Sequence, residues 1–178
     1  MRERSGAEHI RSFIDFVGRR ARHAADVYFV GGGSVVLFGW RPTTIDLDLK
    51  ISADQDEILR LLPEAKERLQ INIELASPAD FIPELPGWQD RRQFIEKSGA
   101  VFFYHYDFCA QALAKIERGH AHDLDDVAHM RAEKLIEPAQ LLELFNQIEP
   151  ELYRFPAVDP VSFRKDVEAF VNVNESDR

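Results

Sequence analysis

The chain has one cysteine, Cys109, in 178 residues, which excludes an internal disulfide and agrees with a reducing, cytoplasmic setting. It has no apolar run near the roughly 20 residues that a membrane span requires, so the sequence reads as soluble. The opening MRERSGAEHIRSFIDFVGRR is positively charged but has no apolar core followed by a small-residue cleavage site, and so does not read as a secretory signal. Positive charge is scarce overall. With 22 Lys and Arg against 31 Asp and Glu, the net charge of −9 argues against a large non-specific nucleic-acid footprint, which lysine and arginine would have to supply. The six arginines among the first 22 residues, set against Glu3, Glu8 and Asp15, read as a solvated helix face.

What is present is the composition of a globular chain: 45% apolar and 30% charged residues, enough to bury a core. One compact unit is expected, with an α/β part over residues 1–87 and the remaining strand and a helical lobe over 88–178. Ile10, Phe13, Ile14 and Val17 recur at helical spacing between Ala7 and Ala24. Asp26 reads as a turn before a buried strand, Val27 to Val30, and a short helix follows over Ser34 to Gly39. Thr44 to Ile51 alternates, with Ile45, Leu47, Leu49 and Ile51 on one side and Thr44, Asp46, Asp48 and Lys50 on the other. A helix over Gln55 to Leu69 is expected to break or restart near Pro63. Ile71 to Ala76 alternates again, burying Ile71, Ile73 and Leu75 and presenting Asn72, Glu74 and Ala76. The prolines from Pro78 to Pro86 mark a loop, and Ala100 to Tyr106 is a further strand. Its aromatic run VFFYHYDF reads as core rather than as a base-stacking platform. Helices follow over Asp107 to Glu117, Asp123 to Leu135, Pro138 to Ile148 and Pro160 to Val171. Asp107, Asp123 and Asp159 serve as N-caps, and Pro138 and Pro160 lie in first turns. The final NVNESDR reads as disordered.

The chemistry concentrates in YFVGGGSVVLFGWRPTTIDLDL, Tyr28 to Leu49. Three glycines after a strand permit positive φ and close approach of backbone N–H groups to a phosphate. The dinucleotide fingerprint does not fit, because Val36 stands where its third glycine belongs and no acid follows at the required distance. A P-loop needs Gly-Lys-Ser/Thr, which is absent. Asp46 and Asp48, by contrast, project from one face of a strand with their backbones roughly 6 to 7 Å apart. Two such carboxylates repel unless a cation lies between them, and magnesium, a hard ion preferring oxygen ligands, meets that need. A competing metal set, His122, Asp126 and His129 at helical spacing, with a His122-Asp123 doublet like that of metal phosphohydrolases, requires a mostly helical core upstream. The upstream sequence is α/β instead.

Strand, glycine-serine turn, short helix and an Asp-x-Asp strand, with eleven residues between Ser34 and Asp46, resemble the signature of the DNA polymerase β-type nucleotidyltransferase superfamily. The segment Arg41 to Leu49, with Lys115, Arg118, Asp123 and Asp126 in AKIERGHAHDLDDV, is similar to bacterial AbiEii-type toxin nucleotidyltransferases and their uncharacterised relatives. The resemblance covers Tyr28 to Leu135. It implies an α/β (α+β) fold: a short mixed sheet with flanking helices, followed by a helical lobe that closes over the nucleotide. It also implies transfer of a nucleoside monophosphate from a nucleoside triphosphate (NTP) to an acceptor hydroxyl. Gly32, Gly33 and Ser34 would then hold the triphosphate, assisted by Thr44, and Asp46 and Asp48 would bind Mg2+. Lys115 would neutralise phosphate charge, with Arg118 beside it, and Asp123 or Asp126 would lie near the nucleotide or help activate the acceptor. Glu74, on the exposed phase of its strand, is the candidate third carboxylate. For Lys115 and Arg118 the structural alternative is a solvated face; for Asp123 and Asp126 it is an N-cap and a first-turn acid. The acceptor implied is RNA or tRNA and the partner a cognate antitoxin. The acidic charge keeps a protein or small-molecule acceptor open, as it does a non-catalytic binding or regulatory role.

Overall fold

The computed structural model describes residues 4–52 and 54–173. The chain divides into two compact units. Among the described residues, one comprises those up to Ser77 with Arg92–Tyr106, and the other Pro78–Arg91 with those from Asp107 to residue 173. This differs from a single cut after residue 87, because Arg92–Tyr106 returns to the first unit and completes its sheet.

The first unit is a mixed α/β layer. Helix α1 (Ala7–Arg20) leads into strand β1 (Ala25–Val30), short helix α2 (Gly32–Leu37), β2 (Asp46–Ile51), α3 (Asp56–Leu69) and β3 (Asn72–Leu75). The hairpin β4 (Gln93–Ser98) and β5 (Val101–His105) closes the set. The sheet order is β3-β2-β1-β5-β4. β1 runs antiparallel to β2 and parallel to β5, β2 parallel to β3, and β4 antiparallel to β5. Val27, Phe29, Leu47, Leu49, Ile73, Val101 and Phe103 alternate onto one face, where they join Ile10, Phe13 and Val17 of α1 and Ile58, Leu62 and Ala65 of α3 in a single core. Phe13 meets Phe29 edge-on at 6.2 Å between ring centroids.

Several elements depart from the sequence reading. Asp26 lies inside β1 rather than in a turn. Pro63 does not interrupt α3: the helix runs through it with Ile58, Leu62 and Ala65 buried, and that burial outweighs the lost backbone hydrogen bond. Leu75 and Ile45, expected inside, are 57% and 47% exposed, since β3 ends at Leu75 and β2 begins only at Asp46. Strand β4 had no counterpart in the sequence reading. Its register slips between Phe94 and Glu96, which breaks the two-residue alternation that marks a strand. Gly99 turns this hairpin at φ +58°, and a methyl group there would stand 2.0 Å from the Gly18 carbonyl oxygen of α1, so helix and hairpin meet backbone to backbone.

The second unit is built on α4 (Phe108–Arg118), which packs against α5 (Ala121–Ala132), α6 (Pro138–Ile148) and α7 (Pro160–Asn172). Asp107 caps α4 through a 2.9 Å hydrogen bond from the Cys109 N–H, and the Arg91 side chain clasps the same carboxylate. Asp159 caps α7 by accepting from the Val161 N–H. Helix α5, however, is capped at His120, three residues earlier than expected, which puts Asp123 inside the first turn. Phe145 and Phe163 join α6 to α7, their rings edge to face at 4.9 Å. Of the terminal residues read as disordered, Asn172 closes α7, while Asn174–Arg178 lie outside the described residues. Among the described residues no helix is long and apolar enough to cross a membrane.

Candidate active site

Residues paired across neighbouring strands point to the same side of a sheet. Val30 faces Asp48 and Tyr28 faces Lys50 across β1 and β2. Asp46 faces Asn72 and Asp48 faces Glu74 across β2 and β3. Asp46, Asp48, Lys50, Asn72 and Glu74 therefore share the face opposite the α1–α3 core. Leu47 and Leu49, fully buried between the two aspartates and after them, pin that phase, because a one-residue slip would turn both carboxylates into the core.

Asp46 is held by a short hydrogen bond from the Asn72 side-chain amide to Oδ1. Asp48 stands at the glycine turn. Gly31 has φ +53°, a backbone region that side chains rarely adopt, and a methyl group on it would lie 3.1 Å from Asp48 Oδ2. A side chain on Gly32 would meet Thr44 Oγ1 at 2.1 Å. Thr44 in turn donates from that hydroxyl to the Asp46 carbonyl at 2.9 Å, and its backbone pairs with Ser5. The turn, Thr44 and both aspartates are thus one packed arrangement, and the bare glycine backbones are what admit it.

Ser34 turns its side chain inward. Its side chain is fully buried. The hydroxyl donates to the Phe29 carbonyl at 3.2 Å and lies 2.8 Å from His105 Nδ1. Burial lowers the His105 pKa from 6.5 to about 4, so the ring is neutral near pH 7. With the single hydroxyl proton directed at Phe29, a neutral ring protonated on Nδ1 would donate to Ser34.

Glu74 is exposed beside Asp48 in register. Among the described residues no three His, Cys, Asp or Glu side chains are gathered as a metal-binding group. Of the His122, Asp126 and His129 alternative, the central aspartate is engaged by Lys115. Asp46 and Asp48 are the pair that would hold a cation on this face. That set fits magnesium, which is commonly held by one or two carboxylates and keeps its remaining positions for water and substrate phosphate.

Lys115, Arg118, Asp123 and Asp126 belong to the helical unit. Lys115 Nζ lies 2.9 Å from Asp123 Oδ1 and 2.7 Å from Asp126 Oδ2, with all three side chains buried. Arg118 grips both oxygens of Asp123 at 2.8 Å. Burial alone would raise the Asp123 pKa, but hydrogen bonds from Arg118 and Lys115 outweigh it and hold the carboxyl below its usual range. The solvated-face alternative fails for Lys115, which is 5% exposed, and the N-cap alternative fails for Asp123. The two cations and two anions balance, so this cluster ties α4 to α5.

The family model described as "Nucleotidyltransferase of unknown function (DUF6036)" matches residues 9–158. The chain belongs to this nucleotidyltransferase family. The match takes in the glycine turn, both aspartates and the Lys115 cluster. No curated protein and no solved structure matches the chain. Beyond the residues singled out in the sequence, the nucleotidyltransferase fold adds Asn72 and His105 to the site's surroundings. Asn72 shared the phase of Glu74 and was legible on that ground. His105, inside an aromatic strand and 71 positions from Ser34, carried no local signal.

Proposed function

We propose that the protein is a magnesium-dependent nucleotidyltransferase that moves a nucleoside monophosphate from a nucleoside triphosphate to an acceptor hydroxyl, releasing pyrophosphate. The observation that carries this reading is the Asp48 carboxylate packed against Gly31, with Asp46 on the same face of the sheet. Asp46 and Asp48 would hold the ion, which supplies positive charge against the triphosphate and its leaving group. Asn72 fixes the orientation of Asp46. The backbone N–H groups of Gly31 to Gly33 would be offered to phosphate oxygens beside the carboxylates. Thr44 and Ser34 keep that turn in place from either side, and Glu74 adds negative charge at the rim. Lys115, Arg118, Asp123 and Asp126 act by holding α4 and α5 together.

The likeness of Arg41 to Leu49 to AbiEii-type toxins supports a ribonucleic acid acceptor, tRNA in particular, and a role opposed by a cognate antitoxin in a cytoplasmic defence pair. The test is incubation with labelled nucleoside triphosphates, magnesium and total RNA or cell extract. Label should pass to RNA with the wild type and fall by about a hundredfold or more with Asp46→Ala or Asp48→Ala, as when a group that stabilises transition-state charge is removed. Label appearing on protein instead would reassign the acceptor. Nucleotide binding without transfer to any fraction would favour a non-catalytic binding role.

A further inference from the structure

His105 closes β5 on the core side of the sheet, directly beside Phe29 of β1, and is 8% exposed. Its ring reaches both ends of α2. At the start of the helix, Nδ1 lies 2.8 Å from Ser34 Oγ; at the end, the ring packs on Phe38 with 4.8 Å between centroids. Phe38 stacks in turn on Trp40 at 5.0 Å. The Phe29 carbonyl collects the Ser34 hydroxyl at 3.2 Å and the Tyr106 N–H at 2.9 Å, so the ends of β1 and β5 and the first turn of α2 meet at one point. Gly31 lies between Phe29 and Ser34 in sequence, and its carbonyl receives the Val35 N–H at 3.1 Å. Whatever fixes Ser34 and Phe38 therefore fixes the path of the glycine turn that abuts Asp48.

We propose that His105 is a positioning residue: through its hydrogen bond to Ser34 and its contact with Phe38 it holds α2, and with it the Gly31 to Gly33 backbone, against Asp48. The consequence for nucleotide rests on the nucleotidyltransferase reading above, whereas the positioning itself does not. Hydrogen bonding and packing are separable here. An asparagine side-chain N–H can take the place of Nδ1–H, and leucine keeps apolar bulk but offers no donor.

The test compares wild type with His105→Leu, His105→Asn and Ser34→Ala by amide hydrogen exchange of the ligand-free protein, and by titration with each of the four ribonucleoside triphosphates in the presence of magnesium. Exchange at the Val35 amide, referenced to Leu47 and Leu49 in β2, should rise about tenfold in His105→Leu and in Ser34→Ala, as loss of one buried hydrogen bond allows. His105→Asn should stay within about twofold of wild type. Nucleotide affinity should follow the same order, with melting temperature recorded to separate it from global destabilisation. Equal Val35 exchange in the leucine and asparagine variants, or no change in either, would overturn the proposal. If the wild type binds no nucleotide, the functional reading fails, and the exchange series still decides the role of His105.

Discussion

The residues whose surroundings the sequence foretold least are His105 and Lys115, and each makes a prediction. The folded pKa of His105 is about 4, against 6.5 for the free group, so between those values the unfolded chain takes up a proton that the folded chain refuses. Stability therefore rises with pH through that window. The contribution is present above about pH 6.5 and declines by up to about 3 kcal/mol as pH falls to 4. Denaturant unfolding from pH 4 to 7 should show this slope, and His105→Asn should flatten it. Asp123, whose pKa is lowered, works at the acid end: its stabilisation is present above the ordinary carboxylate pKa and is lost only on further acidification. Lys115→Met would remove the buried cation between Asp123 and Asp126, leaving Asp123 to Arg118, and should cost about 3 to 5 kcal/mol. Arg118, half-exposed, should cost about 1 kcal/mol on change to alanine. Equal losses in thermal unfolding would show that the buried lysine is not the centre of the cluster.

At the scale of elements, the α/β order of the first unit was readable because strong periodic signals agree with the packing. Leu47 and Leu49 alternate with Asp46 and Asp48, and Ile58, Leu62 and Ala65 repeat on α3. The failures have equally local causes. β4 escaped because its bulge at Phe94/Glu96 spoils the alternation, and Phe94 itself is 60% exposed. Helix α5 began too late in the sequence reading because aspartate is a stronger cap than histidine, and nothing local shows that Asp123 is instead drawn inward by Lys115 and Arg118. Gly99 is the element-scale test. Gly99→Ala combines positive φ with collision against the α1 backbone and should destabilise by about 3 kcal/mol or more. Gly39→Ala, at φ +78° with nothing within 4 Å, should cost only the conformational part, about 1 kcal/mol. Urea midpoints of the two variants check the difference.

At the scale of the whole molecule, the formal charge of −9 sets how nucleic acid can be met. Duplex DNA of arbitrary sequence should not bind detectably at physiological ionic strength, because few phosphates can be neutralised. Fluorescence anisotropy with labelled duplex and total tRNA tests this, and tight, salt-sensitive binding to arbitrary duplex would contradict it. By itself the sequence determined the glycine turn, the one-sided Asp46 and Asp48 pair and the helical character of the second half. Each of these is written in neighbouring residues, through two-residue or helical periodicity and the freedom of glycine. Only the tertiary structure decided that Arg92–Tyr106 rejoins the first sheet, that Ser34 turns inward to Phe29 and His105, and that Lys115 is spent on Asp123 and Asp126. Those outcomes depend on partners distant in the chain and on the cost of burying a polar or charged group without one, which no local pattern records.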